Sequence, residues 1–135
     1  MARKVIDEDM KELVKKAREA RGNSYSPYSR FAVGAAVRTS SGRVFQGCNI
    51  ESCSYGLTIC AERVAVFNAV SEGECDFAAL AIFTEAKDLT PPCGACRQVL
   101  SEFCGELVII LANPGGEKKL KLSELLPLPF NKRNL

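Results

Sequence analysis

Two short segments concentrate the residues able to do chemistry: Cys60-Ala61-Glu62 and, further along, Pro92-Cys93-Gly94-Ala95-Cys96. A Cys-x-x-Cys pair opening a helix can present both sulfurs to one ion, and Cys60, also opening a helix, can supply a third. The positive end of a helix dipole favours thiolate over thiol and prepares such a place for a divalent cation. Soft thiolates in a tetrahedral array select zinc over harder cations. Three protein ligands leave one corner for water, the mark of a catalytic zinc; a fourth, for which Cys53 is the candidate, would close the site into a structural one. Glu62 stands two residues past Cys60, close enough to reach that water without binding the metal. Zinc lowers the pKa of water from about 16 towards 7, but three thiolates blunt this acidity. Arg63 is the candidate to offset them by donating to the sulfurs; its alternative is an ion pair with Glu62 or another carboxylate.

The chain has no histidine. Any general acid or base must therefore be a carboxylate, lysine, tyrosine or cysteine, and serine–histidine and cysteine–histidine nucleophilic mechanisms are excluded in their usual forms. The cysteines number seven, an odd count that fits thiols and metal ligands better than a disulfide framework. Cys48, Cys53, Cys75 and Cys104 read as packing or surface thiols. The net charge is only +2, with basic residues spread along the chain, which disfavours a partner that must be bound through many phosphates. No apolar run approaches the roughly 20 residues that span a bilayer. Met1–Arg21 is dense in charge of both signs and unlike a secretory signal, so a cytoplasmic location is expected.

The elements that must position these residues follow from periodicity. Asp7–Arg21 places Met10, Leu13, Val14 and Ala17 at helical spacing and stops at Gly22-Asn23. Phe31–Thr39 and Arg43–Cys48 read as a β-hairpin around Ser40-Ser41-Gly42. After an irregular stretch from Asn49 to Thr58, Cys60–Val70 carries Ala61, Val64, Ala65 and Ala69 at helical intervals. Phe77–Thr84 and Leu107–Ala112 are apolar runs of strand length flanking a second short helix, Cys93–Phe103. Lys118–Leu122 follows the turn at Asn113-Pro114-Gly115-Gly116, and Ser123–Leu126 is a last turn before Pro127, Pro129 and Phe130. At 135 residues the chain, 1–135, is expected to be one domain. The order of elements predicts an α/β fold, a mixed sheet with helices over its faces. Its strand–helix–strand passages should run parallel with right-handed crossovers.

The Cys-x-Glu and Pro-Cys-x-x-Cys pair resembles the signature of the zinc deaminases of nucleobases. More of the chain is similar to the small homotetrameric cytidine deaminases: Tyr25-Ser26-Pro27-Tyr28-Ser29, Phe31 with Val33-Gly34-Ala35-Ala36, Gly47-Cys48-Asn49-Ile50-Glu51, Cys60-Ala61-Glu62-Arg63, Pro92 to Gln98, and Glu124-Leu125-Leu126-Pro127. The stretches occur in family order and span nearly the whole chain; Cys-x-x-Cys alone would be a weak signal.

The resemblance implies a three-layer α/β/α sandwich on a mostly five-stranded sheet. It implies one Zn2+ per chain on Cys60, Cys93 and Cys96, with Glu62 as the acid/base. The activity implied is hydrolytic deamination of cytidine and 2'-deoxycytidine. Asn49 and Glu51 would meet the ribose hydroxyls, Phe31 would pack on the pyrimidine, and the N–H of Ala61 would bind the base's O2. Phe130, and in a lesser role Tyr55, would come from a neighbouring subunit of a homotetramer. The apolar tail Leu125–Phe130 suits such an interface. Two rivals remain at this point. One is a deaminase of the same fold acting on a cytosine nucleotide, a nucleoside antibiotic or an RNA base; the other is a non-catalytic zinc-stabilised binding module.

Overall fold

The computed structural model describes residues 7–135. Helix α1 (Glu8–Arg21) starts where the Asp7 carboxylate accepts the N–H of Met10 at 2.9 Å, with Glu8 and Asp9 in the first turn and Arg18 and Arg21 in the last, each sign opposing the helix dipole. Strands β1 (Gly34–Thr39) and β2 (Val44–Cys48) form the expected hairpin. Helix α2 (Ala61–Ser71) leads to β3 (Phe77–Phe83), and α3 (Gly94–Phe103) to β4 (Val108–Asn113). The chain finishes with β5 (Gly116–Lys121), the single turn α4 (Leu122–Leu125) and a tail.

The strands form one five-stranded mixed sheet in the order β2-β1-β3-β4-β5. Because β1 is antiparallel to both β2 and β3, those two strands point the same way; β4 runs parallel to β3 beside it. The parallel directions expected of the two strand–helix–strand passages are therefore present, although β1 lies between the first pair. Helices α2 and α3 consequently begin at the same end of the sheet, where ligands gather in open α/β folds.

Strand alternation sorts the core into two layers. Ala36, Ala79, Ala81, Phe83, Ile110 and Ala112 face Met10, Leu13 and Ala17 of α1. On the opposite face Ala35, Val37, Leu80, Ile82, Ile109 and Leu111 pack on Ala61, Ala65, Val66 and Ala69 of α2 and Leu100 of α3. This is the three-layer α/β/α sandwich. The helices approach closely because two glycines leave room: a Cβ at Gly34 would collide with the Ala17 carbonyl and stand 2.5 Å from the Arg21 nitrogen, and one at Gly47 would meet the first turn of α2.

Two boundaries differ from expectation. The first strand begins at Gly34, not Phe31, because the Asn49 side chain takes over the backbone there: its Oδ1 accepts the Val33 N–H at 2.9 Å and its Nδ2 donates to the Phe31 carbonyl at 2.7 Å. The last strand starts earlier and ends at Lys121, because Leu122 turns into α4.

Candidate active site

Cys60 and Cys93 are the N-cap residues of α2 and α3, in extended backbone conformation, and neither side chain makes a capping hydrogen bond. Both sulfurs are thus left uncommitted to the backbone of their own helices. Cys96, one turn into α3, is buried. The three sulfurs lie within 4.8 Å of one another: Cys60 to Cys93 is 3.7 Å and Cys93 to Cys96 is 3.6 Å. Tetrahedral ligands at a zinc–sulfur distance of about 2.3 Å stand about 3.8 Å apart, so the spacing and the soft donor set fit a zinc ion. Cys53, the alternative fourth ligand, is exposed and not part of the group. All seven cysteines are free thiols.

The trio has a definite electrostatic bias. The Cys60 thiol is held down to about 5, first by the hydrogen bond it accepts from Cys96 and further by Arg63 and Cys93. Cys96 is pushed up for the matching reasons: it donates to Cys60 and is buried. Arg63 Nη2 lies 3.5 Å from the Cys60 sulfur. Its Nε is buried with no partner, so part of the guanidinium's donor capacity is unspent. Among the described residues no salt bridge joins it to Glu62.

Glu62 sits in the first turn of α2 with only 5% of its surface exposed. Burial pushes its carboxyl up to about 7, with the negative charge of Cys60 adding to the effect. Such a group can hold and release a proton near neutral pH. Ala61, wholly buried, is the first residue of α2, and its N–H is among those a helix leaves without an intrahelical acceptor.

The segments around this centre place the remaining candidates. Asn49 is 8% exposed and its Oδ1 is committed to Val33 and to the Ser24 hydroxyl, so it braces the backbone that carries Phe31. One amide hydrogen of Asn49 remains for a ligand beyond the donation to Phe31. Glu51 accepts the N–H groups of Tyr28 and Ser29 at 2.9 and 3.1 Å, and the Ser29 hydroxyl. That hydroxyl is the main reason the carboxyl lies below the ordinary range. Glu51 and Tyr55 line a cleft of about 400 Å³ with Tyr28, Ser29, Ser52 and Thr58. Phe31 and Tyr55 are exposed, the latter edge-on to Tyr28 with ring centroids 6.1 Å apart. Phe130 is 61% exposed, and its carbonyl is fastened to α3 of its own chain by Gln98.

Sequence reasoning gave no role to three groups that shape the site. Ser29 and the Tyr28 amide orient Glu51, and Arg97 ties the Cys93 loop to the C-terminal tail through hydrogen bonds to the Pro92 and Leu125 carbonyls at 2.8 and 2.9 Å. The signal for Arg97 was its place directly after the Cys-x-x-Cys turn, where a basic side chain of this length can fold back over the turn.

Residues 7–112 match the family described as the cytidine and deoxycytidylate deaminase zinc-binding region. The chain is 47% identical over 129 residues to a cytidine deaminase of Halalkalibacterium halodurans, covering 94% of this chain and 98% of that one. It is 31% identical over 108 residues to a blasticidin-S deaminase of Bacillus cereus, covering 74% of this chain and 77% of the relative. The crystal structure of a cytidine deaminase from Burkholderia pseudomallei superposes with a TM-score of 0.86 at 44% identity, covering 89% of this chain and 98% of that one. With a buried glutamate beside three converging sulfurs on this sheet, and a match over most of its length, the chain belongs to the zinc-binding family of cytidine and deoxycytidylate deaminases.

Proposed function

We propose that this chain hydrolyses cytidine and 2'-deoxycytidine to uridine and 2'-deoxyuridine with release of ammonia, as a single cytoplasmic catalytic domain. The observation that carries the reading is the burial of Glu62 two residues after a cysteine whose sulfur converges with two others. One zinc per chain would be held by Cys60, Cys93 and Cys96; when bound it supplies Lewis acidity that brings water towards hydroxide at neutral pH.

Glu62 carries the protons. It takes one from the attacking water and delivers it to N3 as the new bond to C4 forms. It then takes the second proton of that oxygen and gives it to the amino group, which leaves as ammonia while the C4 carbonyl is restored. A carboxyl pushed up to about 7 is matched to both transfers. The Ala61 N–H, at the positive end of α2, suits the base's O2. Arg63 donates to Cys60 and limits the charge that the sulfurs pass on.

Phe31 packs on the pyrimidine, while Asn49 and Glu51 receive the ribose hydroxyls. A nucleoside fits this set better than a nucleotide, since the Glu51 carboxyl, held below the ordinary range by the Ser29 hydroxyl, is negative at neutral pH and repels an added phosphate. Tyr55, Leu57, Leu128 and Phe130 are large apolar or aromatic side chains left exposed on one chain, which supports assembly as a homotetramer with Tyr55 and Phe130 completing a neighbour's site. No described helix is long and apolar enough to cross a membrane.

The test follows the loss of substrate absorbance on cytidine, 2'-deoxycytidine, cytosine, cytidine monophosphate, blasticidin S and adenosine. Turnover of the first two with ammonia released is expected. Turnover confined to another compound of the panel overturns the substrate assignment, and full activity of a monomer in sedimentation overturns the shared sites.

A further inference from the structure

We infer that Arg97 is a positioning residue coupling the C-terminal tail to the zinc-bearing turn, so that metal binding at the cysteines and ordering of the tail reinforce each other. The inference rests on the reading of Cys93 and Cys96 as ligands. The Arg97 guanidinium donates through Nε to the Pro92 carbonyl at 2.8 Å and through Nη1 to the Leu125 carbonyl at 2.9 Å. Pro92 immediately precedes Cys93 and Arg97 immediately follows Cys96, so the first bond closes a ring of chain around the Cys-x-x-Cys turn. The second reaches the end of α4. One turn of planar geometry therefore links both, and a rigid guanidinium cannot shift on one carbonyl without shifting on the other.

The next residue supplies a second fastening: Gln98 Nε2 donates to the Phe130 carbonyl at 2.7 Å. Between these points lies Leu126–Pro129, with Leu128 91% exposed. Pro127 and Pro129 have no N–H to offer, and side chains of α3 hold this segment through the carbonyls at its two ends. The start of α4 is fixed independently, since Leu122 is buried and its N–H donates to the Leu107 carbonyl at 2.8 Å. Gln98 thus holds the tail alone, whereas Arg97 holds the tail and the turn together. Their separation in role is what makes the coupling testable.

Coupling of this kind is reciprocal. Hydrogen exchange at Leu128, Phe130 and Asn131 is measured on the full-length protein with zinc and after chelation, for wild type, Arg97→Gln, Arg97→Lys and Gln98→Ala. In wild type, zinc should slow exchange across the tail by at least about threefold. Arg97→Gln should abolish that response and weaken zinc affinity, read by competition with a chelator, by roughly 10- to 100-fold. Arg97→Lys, which reaches one carbonyl at a time, should recover zinc retention more than the tail response. Gln98→Ala should loosen the tail and, by the same reciprocity, weaken zinc affinity by less than Arg97→Gln does, and should raise KM for cytidine by about 3- to 10-fold at unaltered kcat. Tail exchange that ignores zinc in wild type, or a zinc response that survives in both Arg97 variants, overturns the coupling. If Arg97→Gln does not fold, the lysine and Gln98 variants carry the same decision. A zinc response with no change of KM in Gln98→Ala would leave the coupling standing and remove Phe130 from the substrate site, so the two readings fail separately.

Discussion

A Cβ atom at Gly47 would stand 2.6 Å from the Ala61 carbonyl oxygen and would run into the Ala65 amide as well, so strand β2 and the first turn of α2 meet backbone to backbone. That turn carries Cys60, Ala61 and Glu62. The absence of a side chain at one strand position therefore sets how deep Glu62 and the Cys60 sulfur sit. Gly47→Ala must push α2 outward, because the colliding atoms are backbone and cannot rotate away. We expect a loss of roughly 1–3 kcal/mol in denaturant unfolding, together with weaker zinc retention. An alanine variant with wild-type stability and full zinc would show that the helix start is not fixed by this contact.

Glu62→Gln removes the proposed proton carrier while keeping the shape and leaving the sulfurs untouched. Zinc content is expected to stay at one per chain, and kcat to fall by at least roughly 100- to 10,000-fold. The two measurements must be made on the same preparation, since loss of metal would lower the rate by itself. Near-normal turnover at full zinc content takes the carboxyl out of the reaction.

How far these features were legible in the chain depends on the range of the interaction that makes them. Helical and strand spacing is local, so α1, α2, α3 and the five strands stand within a few residues of their expected positions. Phe31 was misplaced as a strand residue because its competitor for backbone hydrogen bonds, Asn49, lies 18 residues away in sequence. Cys60 and Cys93 cap their helices and do not lie within them, a difference of one residue that periodicity does not resolve. Gly34 and Gly47 were visible as parts of motifs, but their purpose, backbone contact with α1 and α2, exists only once the layers are packed. The three sulfurs stand in the two motifs that carry the family resemblance, with Cys53 left open as a fourth; their 3.6–3.7 Å separations required two helices to begin at one end of the sheet.

Removing a sulfur should separate the metal site from the other thiols. Cys93→Ala is expected to lose zinc, and Cys53→Ser to keep it, because Cys53 is exposed and outside the converging group. A ligand that binds only the folded chain, at a free concentration a hundred times its Kd, stabilises by about 2.7 kcal/mol. For a domain of this size that corresponds to a rise in Tm on the order of 10 °C. Calorimetry with and without chelator should show this rise in wild type and in Cys53→Ser, and none in Cys93→Ala. A zinc-dependent Tm that survives in Cys93→Ala would mean that the ion binds elsewhere.

The pH behaviour of Glu51 tests the basis for preferring a nucleoside. Its carboxyl lies below the ordinary range, chiefly because the Ser29 hydroxyl donates to it, with the Ser29 and Tyr28 amides adding to the effect. A folded pKa below the unfolded one means that the stabilising contribution is complete above the ordinary carboxylate range and is lost as pH falls through the depressed value. A carboxyl NMR titration should therefore place Glu51 below the ordinary glutamate range, with the Tyr28 and Ser29 amides losing exchange protection only as pH falls through that depressed value. Across pH 5 to 8 the charge is constant, so the disadvantage of cytidine monophosphate relative to cytidine in kcat/KM should not relax towards the acid side on account of Glu51. Glu51→Gln keeps the acceptor for the loop but removes the charge, and it should narrow that disadvantage by weakening phosphate repulsion while also losing part of the ribose recognition. A nucleotide disadvantage unchanged in Glu51→Gln would place the discrimination in shape, not in this charge.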